Sequence, residues 1–226
     1  MFSAVLIDID DTVLDFQKCA KWAIKTAMTQ RGMNYTPQMY DVFKEINDSM
    51  WSRLERGEMT REELLNSRFN IIFNRLGISA DGREFEDGFI GLLHESTEEV
   101  TGARELLAYL YGRNYRIYAV SNAMQFQQEN RLKKSGLAKY FSGICTSELL
   151  GAAKPSAGFF DAFFSRFSDI SKNEAILIGD SLDADVIGGK NYGLTVCWFN
   201  NGGKNQSNGS LADYTVTSLS EIKNFM

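Results

Sequence analysis

The spacing of apolar and polar positions changes several times along this 226-residue chain, and each change marks a different kind of element. Near the amino end, an uninterrupted apolar run, Ala4-Val5-Leu6-Ile7, is followed by a polar stretch. So short a run of apolar and β-branched residues is typical of a strand that is buried on both faces of a parallel sheet. We therefore predict a buried parallel strand at residues 4–7.

Between about residue 15 and residue 96 the spacing is helical. Apolar side chains recur at steps of three or four, as they do along residues 39–54, and this places them on one face of a helix. Thr60 and Glu63 form a capping-box pattern before the third helical segment. Four helical segments without a strand between them, the last around residues 85–94, predict a small bundle inserted after the first strand.

From about residue 101 the chain alternates between helical segments and short apolar runs. The apolar runs predict strands at residues 115–120, 143–146, 175–178, 195–199 and 214–216, with a Gly/Asn-rich loop at 200–210. Strands that alternate with helices form a parallel sheet through right-handed crossovers. We therefore expect an α/β fold in which residues 1–14 and 97–226 build a parallel sheet and residues 15–96 form a helical insertion.

Polar residues follow the first strand at the place where a ligand would bind. Ligands of open α/β sheets collect beyond the carboxyl ends of the strands, and Asp8-Ile9-Asp10-Asp11-Thr12 occupies that position. Alternate side chains of an extended segment point the same way, so Asp8 and Asp10 could reach one substrate or one cation. Carboxylates that close repel each other unless a proton or a cation lies between them, and Mg²⁺ suits such a site. The alternative is a simple turn that caps a helix, because Asp and Thr are good N-caps.

Later strand ends and loops carry other residues that phosphate chemistry uses. Ser121 closes the second predicted strand, Asp180 follows a later one with Asp185 beyond it, and Lys154 lies in a loop between them. Phosphoryl transfer requires mainly positioning and charge stabilisation, which a hydroxyl donor, a cation and metal-binding carboxylates supply. Each residue also has an ordinary alternative. Ser121 could cap the following helix, although the amide of Asn122 would still favour a phosphate there. Lys154 could be a solvated lysine, and Asp183 and Asp185 could be acids in the first turn of a helix. Their joint occurrence in this order favours a phosphate site.

These segments resemble the four ordered motifs of the haloacid dehalogenase-like (HAD) phosphohydrolases. The segments that carry the resemblance are Asp8-Ile9-Asp10-Asp11-Thr12, Ser121 at its strand end, Lys154-Pro155, and Gly179-Asp180-Ser181-Leu182-Asp183-Ala184-Asp185. The resemblance spans the whole chain. It implies a Rossmann-like catalytic core, residues 1–14 and 97–226, with a helical cap, residues 15–96, inserted just after the first motif.

The resemblance also implies a role for each site residue. Asp8 would attack phosphorus to form an aspartyl-phosphate, and Asp10 would protonate the leaving oxygen and then activate water. Ser121 and Lys154 would hold the phosphoryl group. Mg²⁺ would be bound by the carboxylate of Asp8, the backbone carbonyl of Asp10, and Asp180, with Asp185 binding directly or through water.

The resemblance extends to one branch of the family. True dehalogenases lack the second acidic residue of the first motif, so Asp10 favours phosphate over halide. The segments 47–51, 57–60, 68–69, 197–200 and 215–219 are similar to nucleoside 5′-monophosphatases that act on pyrimidine and non-canonical nucleotides.

Sugar-phosphate and phosphoglycolate phosphatases and β-phosphoglucomutases share the cap design, so they remain alternatives. Arg53, Arg56 or Arg61 could serve a sugar phosphate. Flat aromatic side chains at Phe16 and Trp51 would suit a nucleobase, although Trp51 could equally pack inside the cap.

Composition and charge limit the kinds of partner and the cellular location to be expected. The chain carries 24 Lys and Arg against 29 Asp and Glu, a formal charge of -5 without a basic run, which argues against a nucleic acid polymer as partner. No apolar stretch approaches the roughly 18 residues of a membrane span, and no signal-peptide pattern precedes the first strand. We expect a cytoplasmic enzyme, a monomer or homodimer without membrane partners, acting on a small phosphomonoester.

The cysteines and the histidine test further kinds of site, and the helical insertion tests a further class of protein. The three cysteines, Cys19, Cys145 and Cys197, are odd in number and far apart, which predicts reduced core residues. The single histidine, His94, excludes a Ser-His-Asp triad and a histidine metal cluster. A non-enzymatic receiver domain would also gather acids, Mg²⁺, a Ser/Thr and a Lys, but it has no use for the helical insertion or for Asp10.

Overall fold

The computed structural model describes residues 2–201 and 211–226, so residues 202–210 of the predicted loop lie outside the described part. The strands are β1 (Ala4–Ile7), β2 (Arg116–Ser121), β3 (Gly143–Thr146), β4 (Ala175–Gly179), β5 (Thr195–Phe199) and β6 (Tyr214–Val216). Every strand predicted from the apolar runs is present, and β1, β3, β5 and β6 have the predicted bounds.

Helices connect the strands. The α-helices are α1 (Phe16–Gln30), α2 (Pro37–Glu55), α3 (Arg61–Leu76), α4 (Gly82–Glu95), α5 (Ala103–Gly112), α6 (Gln125–Lys134), α7 (Ser147–Leu150), α8 (Ala157–Arg166) and α9 (Gly188–Tyr192). A π-helical turn, Leu182–Ile187, precedes α9, and 3₁₀ helices cover Ala138–Tyr140, Lys172–Glu174 and Leu219–Asn224. Within residues 2–201 and 211–226, no helical segment combines the length and apolar character that a bilayer span requires.

The six strands form one parallel sheet in the order β3-β2-β1-β4-β5-β6. Successive residues of β1 enter two different apolar clusters, Val5 and Ile7 on one face and Ala4 and Leu6 on the other. Both faces are therefore covered, which explains why the strand sequence is apolar without alternation. The predicted α/β fold with a Rossmann-like parallel sheet is confirmed. Because β1 lies between β2 and β4, the segments after these three strands are neighbours at one edge.

The chain divides into two compact units. One unit contains Met1–Phe16 and Thr97–Met226, and the other contains Gln17–Ser96. The first unit holds the sheet, and α2, α3 and α4 lie in the second. The functional division into a catalytic core and a cap stays a prediction.

A buried ion pair lies at the centre of the helical unit. Arg68 donates to Glu86 through Nε at 3.2 Å and Nη2 at 2.5 Å, and through Nη1 to Asn47 Oδ1 at 2.6 Å. The Arg68 guanidinium also faces the rings of Phe43, Phe69 and Phe89 at 5.2–5.6 Å from their centroids. Burial raises the pKa of Glu86, and Arg68 opposes that rise. The arginine and the glutamate therefore depend on each other inside an aromatic core.

We expect Arg68→Leu to destabilise the protein by about 3–5 kcal/mol, because it leaves Glu86 as an uncompensated buried charge. Chemical denaturation of the full chain measures the loss. Arg75→Leu is the matched control on α3, because Arg75 pairs with Glu45 on the surface, and its effect should be far smaller. The double variant Arg68→Leu/Glu86→Leu should regain most of the stability, and equal losses in the two arginine variants would contradict the prediction.

The structure departs from the predicted helices at two places. The fourth helix begins at Gly82, capped by Asp81, and not around Phe85, where the apolar spacing starts. A Cβ at Gly82 would lie 2.3 Å from the backbone nitrogen of Asn70, so close helix packing requires glycine in this first turn. The short helix α7 was not predicted, because four residues are too few to show a helical period.

Candidate active site

The segment after β1 turns sharply. Asp11 adopts a positive φ of 60°, and the amides of Val13 and Leu14 both donate to the carbonyl of Ile9 at 2.8 Å. The helix α1 begins only at Phe16, so the acidic residues of this turn do not form its first turn. The segment therefore turns the chain, as the alternative interpretation of these acids holds, but it does not cap a helix. The turn carries Asp8 and Asp10 out of the strand with different partners.

Lys154 joins Asp8, which follows β1, to Asp185 of the π-helical turn. Its Nζ donates to Asp8 Oδ1 at 2.7 Å, to Asp185 Oδ1 at 2.6 Å and to the carbonyl of Val120 at 3.0 Å. The side chain of Lys154 is only 1% exposed, so it is not the solvated lysine of the ordinary alternative. Asp185 is fully buried and also accepts from the amide of Ser181 at 3.1 Å. A cation at this position can neutralise charge on a group bound beside Asp8.

Burial and mutual contact shift the pKa values of Lys154 and Asp8. Burial alone would lower the pKa of the Lys154 ammonium, but Asp185 and Asp8 outweigh it and hold the pKa above its ordinary value. Burial raises the pKa of Asp8 well above its ordinary value; Lys154 opposes the rise, while Asp185 and Asp180 add to it. One lysine thus faces several carboxylates, and the site favours an additional positive charge.

Three carboxylates converge at this edge of the sheet. One oxygen each from Asp8, Asp180 and Asp185 lies within 4.8 Å of those of the other two. Oxygen ligands and net negative charge suit Mg²⁺, and the cluster contains no nitrogen or sulfur ligand that would favour zinc. The residues present therefore fit the magnesium site that the sequence predicts. The carboxylate of Asp10 is not in this cluster, and its predicted backbone ligand stays a prediction.

Two neighbours of the cluster support its geometry, and sequence reasoning assigned neither a role. The Trp198 indole Nε1 donates to the backbone carbonyl of Asp180 at 3.1 Å. A Cβ at Gly179 would lie 2.2 Å from Asp185 Oδ2, so only glycine allows the carboxylate to approach the end of β4.

Asn122, which the sequence assigns to phosphate binding, uses its side chain differently. Its Oδ1 accepts from the backbone amide of Lys154 at 2.9 Å, and its Nδ2 donates to the carbonyl of the same residue at 2.9 Å. This pair of hydrogen bonds fixes the loop that carries Lys154 to the end of β2. Phosphate binding by the backbone amide of Asn122 stays a prediction.

Asp10 and Ser121 meet two side chains of α6 that the sequence analysis did not single out. Asp10 accepts from Arg131 Nη1 at 2.6 Å through Oδ1 and from Gln128 Nε2 at 2.5 Å through Oδ2. Gln128 Nε2 also lies 3.0 Å from Ser121 Oγ. Gln128 and Arg131 are three positions apart on α6, a spacing that places them on one helix face. That spacing is the only signal in the sequence that links them.

The two predicted specificity residues have the same degree of burial. Phe16 and Trp51 are both half-buried, so neither is fully enclosed in a core. Among the described residues, the ring pairs around the Arg68 side chain join phenylalanines to one another, and Trp51 is outside that set. By contrast Asn47 and Arg68, two of the residues that resemble the nucleotidase branch, are buried in the ion-pair network. In this structure the two side chains contribute to the packing of the helical unit.

The three cysteines are buried and form no disulfide, which confirms the prediction of reduced core residues. Burial raises the pKa of Cys145 to about 11 and that of Cys197 to about 12. These two thiols stay protonated at neutral pH and have no part in the chemistry of the site.

Comparison with known proteins places the site in context. The sequence pattern that describes haloacid dehalogenase-like hydrolases matches residues 5–199, a range that contains the ends of β1, β2 and β4. HAD-hydrolase YfnB of Bacillus subtilis is 34% identical over 98% of this chain and 94% of its own length. The solved structure of YfnB has a TM-score of 0.92 at 33% identity and covers 99% of this chain and 97% of that one. That structure has bound magnesium and reveals interdomain movement in YfnB.

Two similar proteins are named as pyrimidine 5′-nucleotidases. PynA of Streptococcus pneumoniae is 32% identical over 88% of this chain and 84% of its own length. YjjG of Escherichia coli is 26% identical over 98% of this chain and 96% of its own length.

Proposed function

The chain belongs to the haloacid dehalogenase-like hydrolases, and from the composition of its site we propose that it is a magnesium-dependent phosphomonoesterase working through an aspartyl-phosphate. The observation that carries the proposal is the different placement of two carboxylates on one turn. Asp8 is buried against Lys154, whereas Asp10 is held by donors from α6. Two carboxylates in different surroundings can serve as nucleophile and as acid–base group.

The proposed reaction has two balanced steps. A carboxylate oxygen of Asp8 attacks phosphorus, the ester P–O bond breaks, and the leaving oxygen takes a proton from Asp10. Water then attacks the aspartyl-phosphate and gives a proton to Asp10, which releases inorganic phosphate and restores Asp8. A carboxylate nucleophile divides the hydrolysis into two easier steps, and the second carboxyl group serves as acid and then as base.

The other site residues would bind the transferred group. The Lys154 ammonium offsets charge on the phosphoryl oxygens next to Asp8, and the Ser121 hydroxyl donates to one of them. Asp8, Asp180 and Asp185, with the backbone carbonyl of Asp10, would hold Mg²⁺. The ion would supply further positive charge for the phosphoryl oxygens.

Two similar proteins and the partial burial of Trp51 support a proposal for the substrate class. Similarity to two pyrimidine 5′-nucleotidases supports a nucleoside 5′-monophosphate as substrate. The incomplete burial of Trp51 supports it too, because stacking on a nucleobase needs only an accessible ring face. A sugar phosphate or phosphoglycolate would instead call for hydrogen-bond donors around the leaving group.

A substrate screen tests the proposal. Phosphate release is measured with Mg²⁺ for deoxy- and ribonucleoside 5′-monophosphates, hexose phosphates and phosphoglycolate. We expect pyrimidine nucleotides to be preferred over purine nucleotides, and both over hexose phosphates. Faster turnover of a sugar phosphate or phosphoglycolate would replace the nucleotidase assignment, and stable phosphorylation of Asp8 without release would favour a receiver-like switch.

The Trp51→Ala variant tests base recognition. We expect kcat/KM for nucleoside monophosphates to fall about 10- to 100-fold, the size of one lost stacking contact, with a much smaller loss on 4-nitrophenyl phosphate. Trp22→Ala is the matched control, because Trp22 is an exposed tryptophan on α1 of the same unit. Equal losses on both substrates would mean that Trp51 serves only the packing of the helical unit.

A further inference from the structure

Both oxygens of the Asp10 carboxylate are engaged by α6. Arg131 and Gln128 are fully buried, and each donates one short hydrogen bond to a different carboxylate oxygen, at 2.6 and 2.5 Å. The Asp10 side chain as a whole remains 27% exposed, so the two donors of α6 do not enclose it completely. A carboxylate held at two points cannot rotate about its terminal torsion without losing a charge-assisted bond.

Arg131 also fixes the orientation of the Gln128 amide. Arg131 Nη1 donates to Gln128 Oε1 at 3.2 Å while it binds Asp10. Because the carbonyl of the amide faces the guanidinium, its NH₂ group faces Asp10 and Ser121. The two amide hydrogens match these two acceptors, at 2.5 Å and 3.0 Å.

The same contact constrains the Ser121 hydroxyl. Ser121 Oγ accepts from the backbone amide of Ala123 at 3.1 Å and from Gln128 Nε2 at 3.0 Å. A hydroxyl has two lone pairs and one hydrogen, so both of its accepting positions are used. The hydrogen must then be donated elsewhere, and within residues 2–201 and 211–226 no group accepts it.

We propose that Gln128, oriented by Arg131, is a positioning residue that sets Ser121 as a donor to the phosphoryl group and Asp10 as the acid–base carboxylate in one hydrogen-bonded unit. The inference rests on the proposed phosphatase function and adds two residues to it. Neither side chain touches substrate in this scheme; each acts through Ser121 or Asp10. Misplacing such a group by about 1 Å can cost on the order of 10²-fold in rate.

The decisive variant is Gln128→Met, which keeps a side chain of similar length but has no hydrogen to donate. Two measurements are made with Mg²⁺ on the full chain: the affinity for inorganic phosphate, and kcat on a nucleoside monophosphate and on 4-nitrophenyl phosphate. We expect phosphate affinity to fall about tenfold, because Ser121 is no longer held as a donor. We expect kcat to fall about 10- to 100-fold more on the nucleoside monophosphate than on 4-nitrophenyl phosphate. Only the nucleoside, a poor leaving group, needs protonation by Asp10.

Matched controls lie on the same helix. Gln127→Met places methionine at a neighbouring buried position, and Lys133→Met removes an exposed cation two positions from Arg131; both should behave as wild type. Arg131→Met should reproduce the Gln128→Met pattern. If Arg131→Met does not fold, Gln128→Met alone decides the proposal.

Equal losses of kcat on the two esters, or an unchanged phosphate affinity in Gln128→Met, would overturn the positioning role. Failure of the proposed phosphatase function would give a different experimental result. A wild-type protein that binds phosphate but hydrolyses neither ester would refute the phosphatase, and phosphate affinity would then decide the Gln128 inference by itself.

Discussion

Asp8→Asn is expected to abolish phosphate release, lowering kcat by about 10⁴- to 10⁶-fold, as the loss of a nucleophile does in enzymes with covalent intermediates. The asparagine amide has nearly the shape of the carboxylate but cannot attack phosphorus. Lys154 keeps its contacts with Asp185 and the Val120 carbonyl in this variant, so no buried cation is left without a partner. Turnover is measured by released phosphate, and folding by circular dichroism.

Two observations separate a lost nucleophile from a damaged site. Asp169→Asn is the matched control in the same unit, because Asp169 is exposed and pairs with Arg116 at the amino end of β2, and it should retain full activity. Asp8→Asn should still be folded and should form no hydroxylamine-sensitive phosphoryl-enzyme with a labelled substrate. Normal turnover by Asp8→Asn would remove Asp8 from the mechanism.

Chelation with EDTA is expected to silence the enzyme, and Mg²⁺ is expected to restore it. Three carboxylates converge on one position, and Lys154 alone does not balance them. A divalent ion therefore adds charge that the phosphoryl group and Asp8 both require. Phosphate release before and after dialysis measures the effect, and circular dichroism of the metal-free protein shows whether the fold is retained.

Calcium supplies the control for metal chemistry. Ca²⁺ accepts a larger and less regular set of oxygen ligands than Mg²⁺, so Asp8 could bind it through both oxygens and lose its line of attack. We therefore expect Ca²⁺ to bind in competition with Mg²⁺ and to inhibit. Full activity after exhaustive chelation, or equal activity with either ion, would contradict the assignment of Asp8, Asp180 and Asp185 as metal ligands.

The segments that follow β1, β2 and β4 were predictable as a group. Short apolar runs mark the strands, and helices between them require a parallel sheet, whose strands all end at the same edge. Asp8, Ser121 and Asp180 therefore had to lie at one edge of the sheet. Their order could not be derived from the runs, because nothing local states that β1 lies between β2 and β4.

Gln128 and Arg131 show why the second layer of the site escaped prediction. Polar residues on an amphipathic helix ordinarily face water, and α6 is strongly polar along its whole length. Both side chains are nevertheless fully buried, because the turn after β1 brings a carboxylate against this face of α6. Burial of a polar side chain depends on a partner elsewhere in the chain, and helical spacing cannot report that partner.

Arg68 in the helical unit is a second buried polar side chain whose partner could not be predicted from the sequence. Residues 68–69 are one of the segments that resemble a branch of nucleotidases, yet Arg68 binds Glu86 inside an aromatic core. Helical spacing cannot distinguish an arginine that faces a ligand from one that faces a buried glutamate.

The sequence by itself determined the strands, most helices and the kinds of polar group at the sheet edge, because hydrophobic spacing and capping act over a few residues. Only the tertiary structure decided which partner each group has. Lys154 is 146 positions from Asp8, and Arg131 is 121 positions from Asp10, so these contacts exist only once the sheet has assembled. The two acids lie two positions apart in the sequence, and the fold surrounds them differently: Asp8 meets a buried lysine, and Asp10 meets the donors of α6.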